Sequence, residues 1–313
     1  MINRVLIRIK VIQILYSFYK GEGKDVANAE KELFFSLEKT YEMYFYLLML
    51  VNEITAYAAK RIEREKNKFL ATEAEKKQSL KFVQNKFAQQ LANNQTLNQF
   101  KKDHNLSWEQ HDFLFEELYS KILETEAYQN YMADADCSYA KDKDLWRALF
   151  KGVISDSETL GHEFEEMSIY WNDDAEVVVS FVMKTIKQFE ESNAENQELI
   201  SMFKDDEDRK YANDLLRYAL YNANDYKDMI FRNAKNWDPD RIAFMDVVIM
   251  QTAISEIFNF PSIPVNVTMN EFIEISKSYS TPKSSTFING ILDSVVKELR
   301  ASNKLVKAVS FVN

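Results

Sequence analysis

Glycine and proline are nearly missing from this chain, with five of the first and four of the second in 313 residues. Tight hairpins and βα loops depend on those residues, so a sheet-rich fold is excluded and the chain reads as all-α. A phosphate-cradling loop is excluded on the same ground: no G-x-G-x-x-G, P-loop or G-x-S-x-G motif occurs. With one cysteine, Cys137, no intrachain disulfide can form, which fits a reducing compartment. Long apolar runs are missing too. The longest, "MYFYLLMLVN" at 43–52, lies between Glu42 and Glu53 and is far too short for a bilayer, so it reads as a buried helix with no membrane role. The first residues, "MINRVLIRIKVIQILYSFYK", are basic then apolar, but Gln13 interrupts them and no small-residue cleavage site follows. They share some composition with an amphipathic targeting peptide; the reading taken is a mature cytoplasmic protein.

What is present is helical periodicity and an uneven distribution of charge. The net charge is −10, which argues against nucleic-acid binding by the whole surface. Residues 1–20, however, hold Arg4, Arg8, Lys10 and Lys20 with no acid, and the last 15 residues hold Arg300, Lys304 and Lys307 with none. Two basic islands therefore sit on an acidic body, and a focused positive site can still bind a polyanion. Residues 3–20 are apolar on nearly every side and predict a central helix packed on several faces. Segments 26–66, 79–102, 107–132 and 142–153 carry Tyr, Phe and Leu at helical spacing, which reads as core. No internal repeat or low-complexity tract is visible.

All four prolines fall in the last 75 residues, and the punctuation there is explicit. "NWDPDRIAFMDVVIMQTAISEIF" offers Asp238 as N-cap, Pro239 at the first helical position and Asp240 in the first turn. "NFPSIPVNV" reads as an extended link, because residues before proline avoid the helical region. Thr268 and Glu271 form a capping-box pattern at the start of "NEFIEISKSY". Thr281-Pro282, with Ser284 as a competing cap, opens the last helix, whose stripe is Ile288, Ile291, Leu292, Val295 and Leu299. That stripe outweighs the hairpin dipeptide Asn289-Gly290.

The blocks "IPVNVTMNEFIEISKSYSTPKSSTFINGILD" and "IRIKVIQILYSFY" resemble the C-terminal signature and first helix of the NusB family of transcription antitermination factors. "LLRYALYNANDYKDMI" and "DRIAFMDVVIMQTAISEI" fall where that family has its middle helices. The likeness covers about residues 1–20 and 205–300, and residues from about 26 to 204 have no counterpart in short members, as in the enlarged, helix-rich form. The resemblance implies a NusB-like helical bundle formed by the N- and C-terminal segments, with a large helical insertion. The expected organisation is a first helix in 1–25, an insertion or second lobe in 26–204, the remainder of the NusB-like domain in 205–305 and a tail in 306–313. It further implies binding of boxA-like single-stranded RNA in ribosomal leader transcripts, together with NusE, the ribosomal small-subunit protein, within the RNA polymerase antitermination complex. The positions that match the family's RNA surface are Arg4, Arg8, Lys283, Thr286 and Phe287, with Asp246 at an acidic family position near it. Val5 and Leu6 stand where relatives are basic, and Lys283 stands where some have an acid.

The residue chemistry gives its own readings beside the resemblance. Arg4 and Arg8 are one turn apart, so both guanidinium groups could address one phosphate run, or both could be solvated at a frayed end. Phe287 lies at the edge of its stripe, where a ring is either a stacking platform for an unpaired base or rim packing. Gly290, one turn on, lets another backbone or a ribose-phosphate come close, and Asn289 can add a hydrogen bond there. The first helix is expected to lie against the last two.

No catalysis and no cofactor are expected. Glu158, His162 and Glu166 share one helix face, but without a second Glu-x-x-His they read as a solvated charged face rather than a metal site. His104 and His111 flank "NLSWEQ" with no matching ligands, and Cys137 has no evident base. NusB-like modules also precede some ribosomal-RNA cytosine methyltransferases, but the Gly-rich cofactor domain is missing. The reading from another class is a helical protein-interaction adaptor that does not bind RNA.

Overall fold

The structure is a computed structural model describing residues 1–21, 25–70, 72–234, 237 and 241–305. Among these residues the chain is all-α, with an isolated parallel bridge between Ile2 and Phe203 outside the helices. It opens with α1 (Arg4–Lys20) and the long α2 (Val26–Lys66). Then come α3 (Glu73–Lys76), α4 (Lys86–Ala92), α5 (Gln95–Asp103), α6 (Asp112–Glu124), α7 (Glu126–Ala133) and α8 (Tyr139–Leu149). A π-helical segment, Phe150–Ile154, leads on to α9 (Glu158–Met167) and α10 (Ala175–Gln188). The chain ends with α11 (Asp206–Tyr221), α12 (Ala223–Asn233), α13 (Phe244–Asn259), α14 (Val265–Tyr279) and α15 (Ser284–Ala301).

Two long periodic segments are each broken by an internal cap. The expected helix at 79–102 divides because Asn94 accepts from Leu97 N (2.9 Å) while its amide nitrogen donates to Gln197 O (2.7 Å). The one expected at 107–132 divides at Thr125, whose hydroxyl accepts from Tyr128 N (3.1 Å) and donates to Ile122 O (2.7 Å). Both residues satisfy orphan backbone groups at a helix end.

The helices cluster into two compact units, one of Glu38–Met202 with Met1, the other of Ile2–Leu37 with the chain from Phe203 onward. The first three turns of α2 therefore group with α1, where the sequence put the division at residues 25 and 26. Glu30 on α2 receives Arg217 of α11 (Nη2 to Oε2, 2.9 Å), and the Arg209 guanidinium lies 5.4 Å from the Phe34 ring centroid.

The Glu38–Met202 unit is built around the apolar run of α2. Tyr44, Phe45, Leu47, Leu48, Leu50 and Val51 are fully buried, as are Trp146, Phe150, Phe82 and Phe189 of the same unit. Three polar groups inside find partners: the Tyr44 and Thr185 hydroxyls are 2.7 Å apart, Trp108 Nε1 donates to Tyr46 O (3.1 Å), and Trp171 Nε1 donates to Lys39 O (2.6 Å).

The second unit is organised by α13. Every residue from Asp246 to Ile257 is buried, so this helix is enclosed on all sides, and α1, α11, α12, α14 and α15 pack around it. Helix α1 lies mainly against α11 and α13 and reaches α14 through Arg8, whereas α15 packs on α12, α13 and α14. The expectation that α1 lies against the last two helices thus holds at α14, through Arg8, while its main neighbours are α11 and α13.

Three expected helix starts also move. The Asp238-Pro239-Asp240 cap lies outside the described residues, and α13 begins at Phe244 after the extended Ala243. Helix α14 begins at Val265, one turn before Thr268, so the expected capping box is not made and Val265–Val267, placed in the extended link, are helical. Helix α15 begins at Ser284, with no side-chain cap at Lys283.

Candidate nucleic-acid interface

Helix α1 is capped by Asn3, whose side chain accepts from Leu6 N (2.9 Å), and carries no acid in its first turn. Arg4 points outward: its side chain is 38% exposed, Nε meets Asp208 Oδ1 at 3.3 Å, and the guanidinium lies 5.1 Å from the Tyr211 ring centroid. Arg8 points inward. Its side chain is 4% exposed, Nε and Nη2 donate to the two oxygens of Glu256 at 2.8 and 3.0 Å, and Nη1 donates to Glu271 at 3.3 Å. Glu256 also accepts from the Tyr211 hydroxyl and from Thr268 Oγ1 (2.6 Å). That bond takes the hydroxyl expected to cap α14.

Burial works against the Arg8 charge, but the hydrogen bond to Glu256 and the surrounding negative potential more than offset it, leaving its pKa above the usual arginine value. Burial, with the Glu256 charge beside it, likewise holds the Tyr211 phenol well above its ordinary range, so it remains a donor. The premise that Arg4 and Arg8 present two guanidinium groups to one phosphate run is therefore corrected. Arg8 is the centre of a buried network joining α1, α11, α13 and α14, and Arg4 alone faces solvent.

At the other end of α13, Asp246 is buried and accepts from the hydroxyls of Ser280 and Ser284 (Ser284 at 2.9 Å). Thr281 N donates to Ser284 Oγ (3.2 Å), so this knot fixes the turn that leads into α15. With the buried stripe Ile288, Ile291, Leu292, Val295 and Leu299 facing the core, Lys283, Thr286, Asn289 and Gly290 are exposed and Phe287 is half-buried. The Phe287 ring stands edge-on to Trp237, centroids 4.9 Å apart, and Trp237 is 56% exposed. A Cβ placed on Gly290 would meet nothing within 4 Å, so no neighbouring helix among the described residues requires the glycine.

A third cluster was not read from the sequence. The Tyr16 ring packs edge-on to Phe244 at the start of α13 (5.3 Å), and Lys20 Nζ lies 4.5 Å from the Phe244 centroid. Lys227 Nζ lies 5.1 Å from the Tyr19 ring. The signal was there in "LYSFYK", where Tyr16 and Lys20 are one turn apart in the basic, acid-free segment.

Helix geometry sorts the candidates into two groups. Asp246 and Glu256 are ten residues apart on α13, about 15 Å along its axis. Arg4 and Arg8 belong to the Glu256 end. Asp246, Lys283, Thr286, Phe287, Asn289 and Gly290 belong to the other, together with Tyr16, Lys20, Phe244 and Trp237. The second group sets exposed or half-exposed rings beside ammonium groups, an arrangement able to stack unpaired bases while neutralising phosphate.

Elsewhere, His111 Nδ1 lies 2.8 Å from Glu163 and His162 Nδ1 lies 3.8 Å from Glu165. Among the described residues no group of three or more His, Cys, Asp or Glu side chains is arranged to hold a metal ion, and no helix is long and apolar enough to cross a membrane.

The fold and this face define an all-α module with a cation–aromatic surface at one end of a buried central helix. The NusB family model matches residues 175–297. The transcription antitermination protein NusB of Salinibacter ruber is 32% identical over 132 residues, which are 40% of this chain and 82% of that protein. That of Geobacter sp. is 31% identical over 135 residues, 43% of this chain and 90% of the relative. That of Chloroherpeton thalassium is 38% identical over 94 residues, 30% and 44% of the two chains. No solved structure matches. The chain belongs to the NusB family of transcription antitermination proteins.

Proposed function

We propose that this protein acts by binding, without catalysis, and that its ligand is a boxA-like single-stranded RNA in ribosomal leader transcripts, held together with NusE in a cytoplasmic RNA polymerase antitermination complex. The observation that carries the reading is the cation–aromatic face at the start of α13 and α15: Lys20 over Phe244, and Phe287 against the exposed Trp237, beside the exposed Lys283. Single-stranded nucleic acid is bound by such combinations, because every base offers a π-face and every linkage a negative charge. Arg4, at the far end of α13, is the phosphate contact for a strand that runs on from this face. The NusB-like domain is assigned to residues 1–25 and 205–305, with 26–204 as a helical insertion whose first residues, 26–37, group with that domain.

Fluorescence anisotropy of the full chain with a labelled boxA-like oligonucleotide and a scrambled one of equal length tests this. The expected result is salt-dependent binding that favours the boxA-like sequence and strengthens when NusE is added. A chain that binds NusE but neither oligonucleotide would be the helical adaptor instead.

A further inference from the structure

The Glu38–Met202 unit holds a cleft of about 650 Å³ between α9 and α10 that nothing above uses. Its floor is apolar: Leu160 and Phe164 on α9 and Val179 on α10 lie over Leu47 of α2. Met183, half-buried on the α10 wall, is the kind of side chain that adapts to an incoming apolar surface. The rim is acidic, with exposed Asp156, Asp173 and Glu176 against a single cation, Lys151, from the π-helical segment. Such a segment within a helical run often marks a functional position.

Gly161 supplies a separate observation. It lies inside α9 on the face that lines the cleft, where glycine weakens a helix relative to alanine, yet a Cβ there would meet nothing within 4 Å. No packing among the described residues accounts for it. A bare backbone on the cleft wall does admit close approach from outside. In the connection between α9 and α10, which also brings Asp173, Ile169 is 78% exposed.

We infer that this cleft docks an amphipathic helical segment of a partner protein, aliphatic along one face and lined with lysine or arginine along its edges. The apolar face enters between α9 and α10, and its closest turn passes over Gly161. The flanking cations meet Asp156, Asp173 and Glu176, which is the helix-in-groove mode with charge complementarity setting the choice of partner.

The probe is a labelled 18-residue model helix (about five turns) of leucine and lysine in amphipathic order, with a leucine–glutamate peptide of the same pattern as control, titrated against the full chain. The lysine peptide should bind, with affinity falling as salt rises, and the glutamate peptide should not. Asp156→Lys with Glu176→Lys should weaken binding at least tenfold. Gly161→Gln should do the same while leaving the melting temperature unchanged or higher. Glu207→Lys with Asp214→Lys, the same charge change on α11 in the other unit, should leave affinity within about twofold. Equal losses in the two charge-reversed pairs would reduce the effect to net charge and overturn the proposal, as would an unchanged affinity in Gly161→Gln or no binding of the lysine peptide.

Discussion

Arg8 and Arg4 have the same side chain, one turn apart, and different work. Around Arg8, the partner Glu256 is fully buried, so removing the guanidinium leaves a carboxylate with no cation in a low-dielectric interior. Breaking a buried pair in this way costs about 3–5 kcal/mol. Arg8→Ala should therefore lower the unfolding midpoint sharply, while the fraction that remains folded keeps its RNA affinity; a variant as stable as wild type but deficient in RNA would mean that Arg8 faces the ligand. Arg4 is half-exposed, paired with Asp208 and lying over the Tyr211 ring, and exposed ion pairs of that kind contribute about 0–1 kcal/mol. Arg4→Ala should melt close to wild type. If Arg4 neutralises a phosphate, the magnitude of the log–log salt slope of RNA binding should fall by about 0.7. A slope identical to wild type would take Arg4 out of the interface. Sequence spacing places both arginines on one face, but the partners that separate them, Asp208, Glu256 and Glu271, lie more than 200 residues away.

At the scale of the element, the start of α15 is positioned by its buried stripe and by the Asp246 knot, so its outward residues can be changed with little effect on packing. Gly290→Ala should stabilise the protein by up to about 1 kcal/mol, because alanine favours the helix and its methyl meets no neighbour. The same change should weaken RNA binding if the strand approaches that backbone. Phe287→Ala should cost about 1–3 kcal/mol of RNA affinity through lost stacking while leaving the salt slope nearly unchanged, and Phe287→Leu should recover little of it. Rim packing against Trp237 alone predicts the reverse pattern, with both substitutions read in thermal stability and RNA affinity intact. Helices α1 and α2 were legible because their apolar character runs on until a break that coincides with their ends, and α15 was legible from its stripe, though its start moves to Ser284. The splits at Asn94 and Thr125 were not, since the apolar period continues through both residues and only their bonds to backbone groups end the helix. Thr268 misled for the converse reason. Its spacing to Glu271 is that of a capping box, but Glu256 and Arg8 claim the two side chains across the core.

At the scale of the whole molecule, an all-α chain with a basic end on an acidic body was visible in composition and period. The grouping of site residues at opposite ends of α13 was not, because it depends on how α1 runs along that helix. Aromatic-rich cores give each unit a further shared property, the retention of neutral phenols. Burial pushes Tyr41 up to about 12 and raises Tyr44, Tyr119 and Tyr211 as well. These phenols ionise near 10 once the chain unfolds. The folded pKa exceeds the unfolded one, so the contribution is fully present below pH of about 10. Above that value the native state binds more protons than the unfolded state, and stability falls as pH rises, by about 1.4 kcal/mol per pH unit for each such tyrosine. Three of the four tryptophans, Trp108, Trp146 and Trp171, are buried in the Glu38–Met202 unit, so tryptophan fluorescence in urea reports chiefly on that unit. Its urea midpoint should hold steady up to pH of about 10 and then decline steeply. Tyr44→Phe removes a buried phenol bonded to Thr185 and should lower the midpoint at neutral pH, yet make the alkaline decline shallower. Parallel curves for wild type and Tyr44→Phe above pH of about 10 would show that the Tyr44 phenol is not linked to folding.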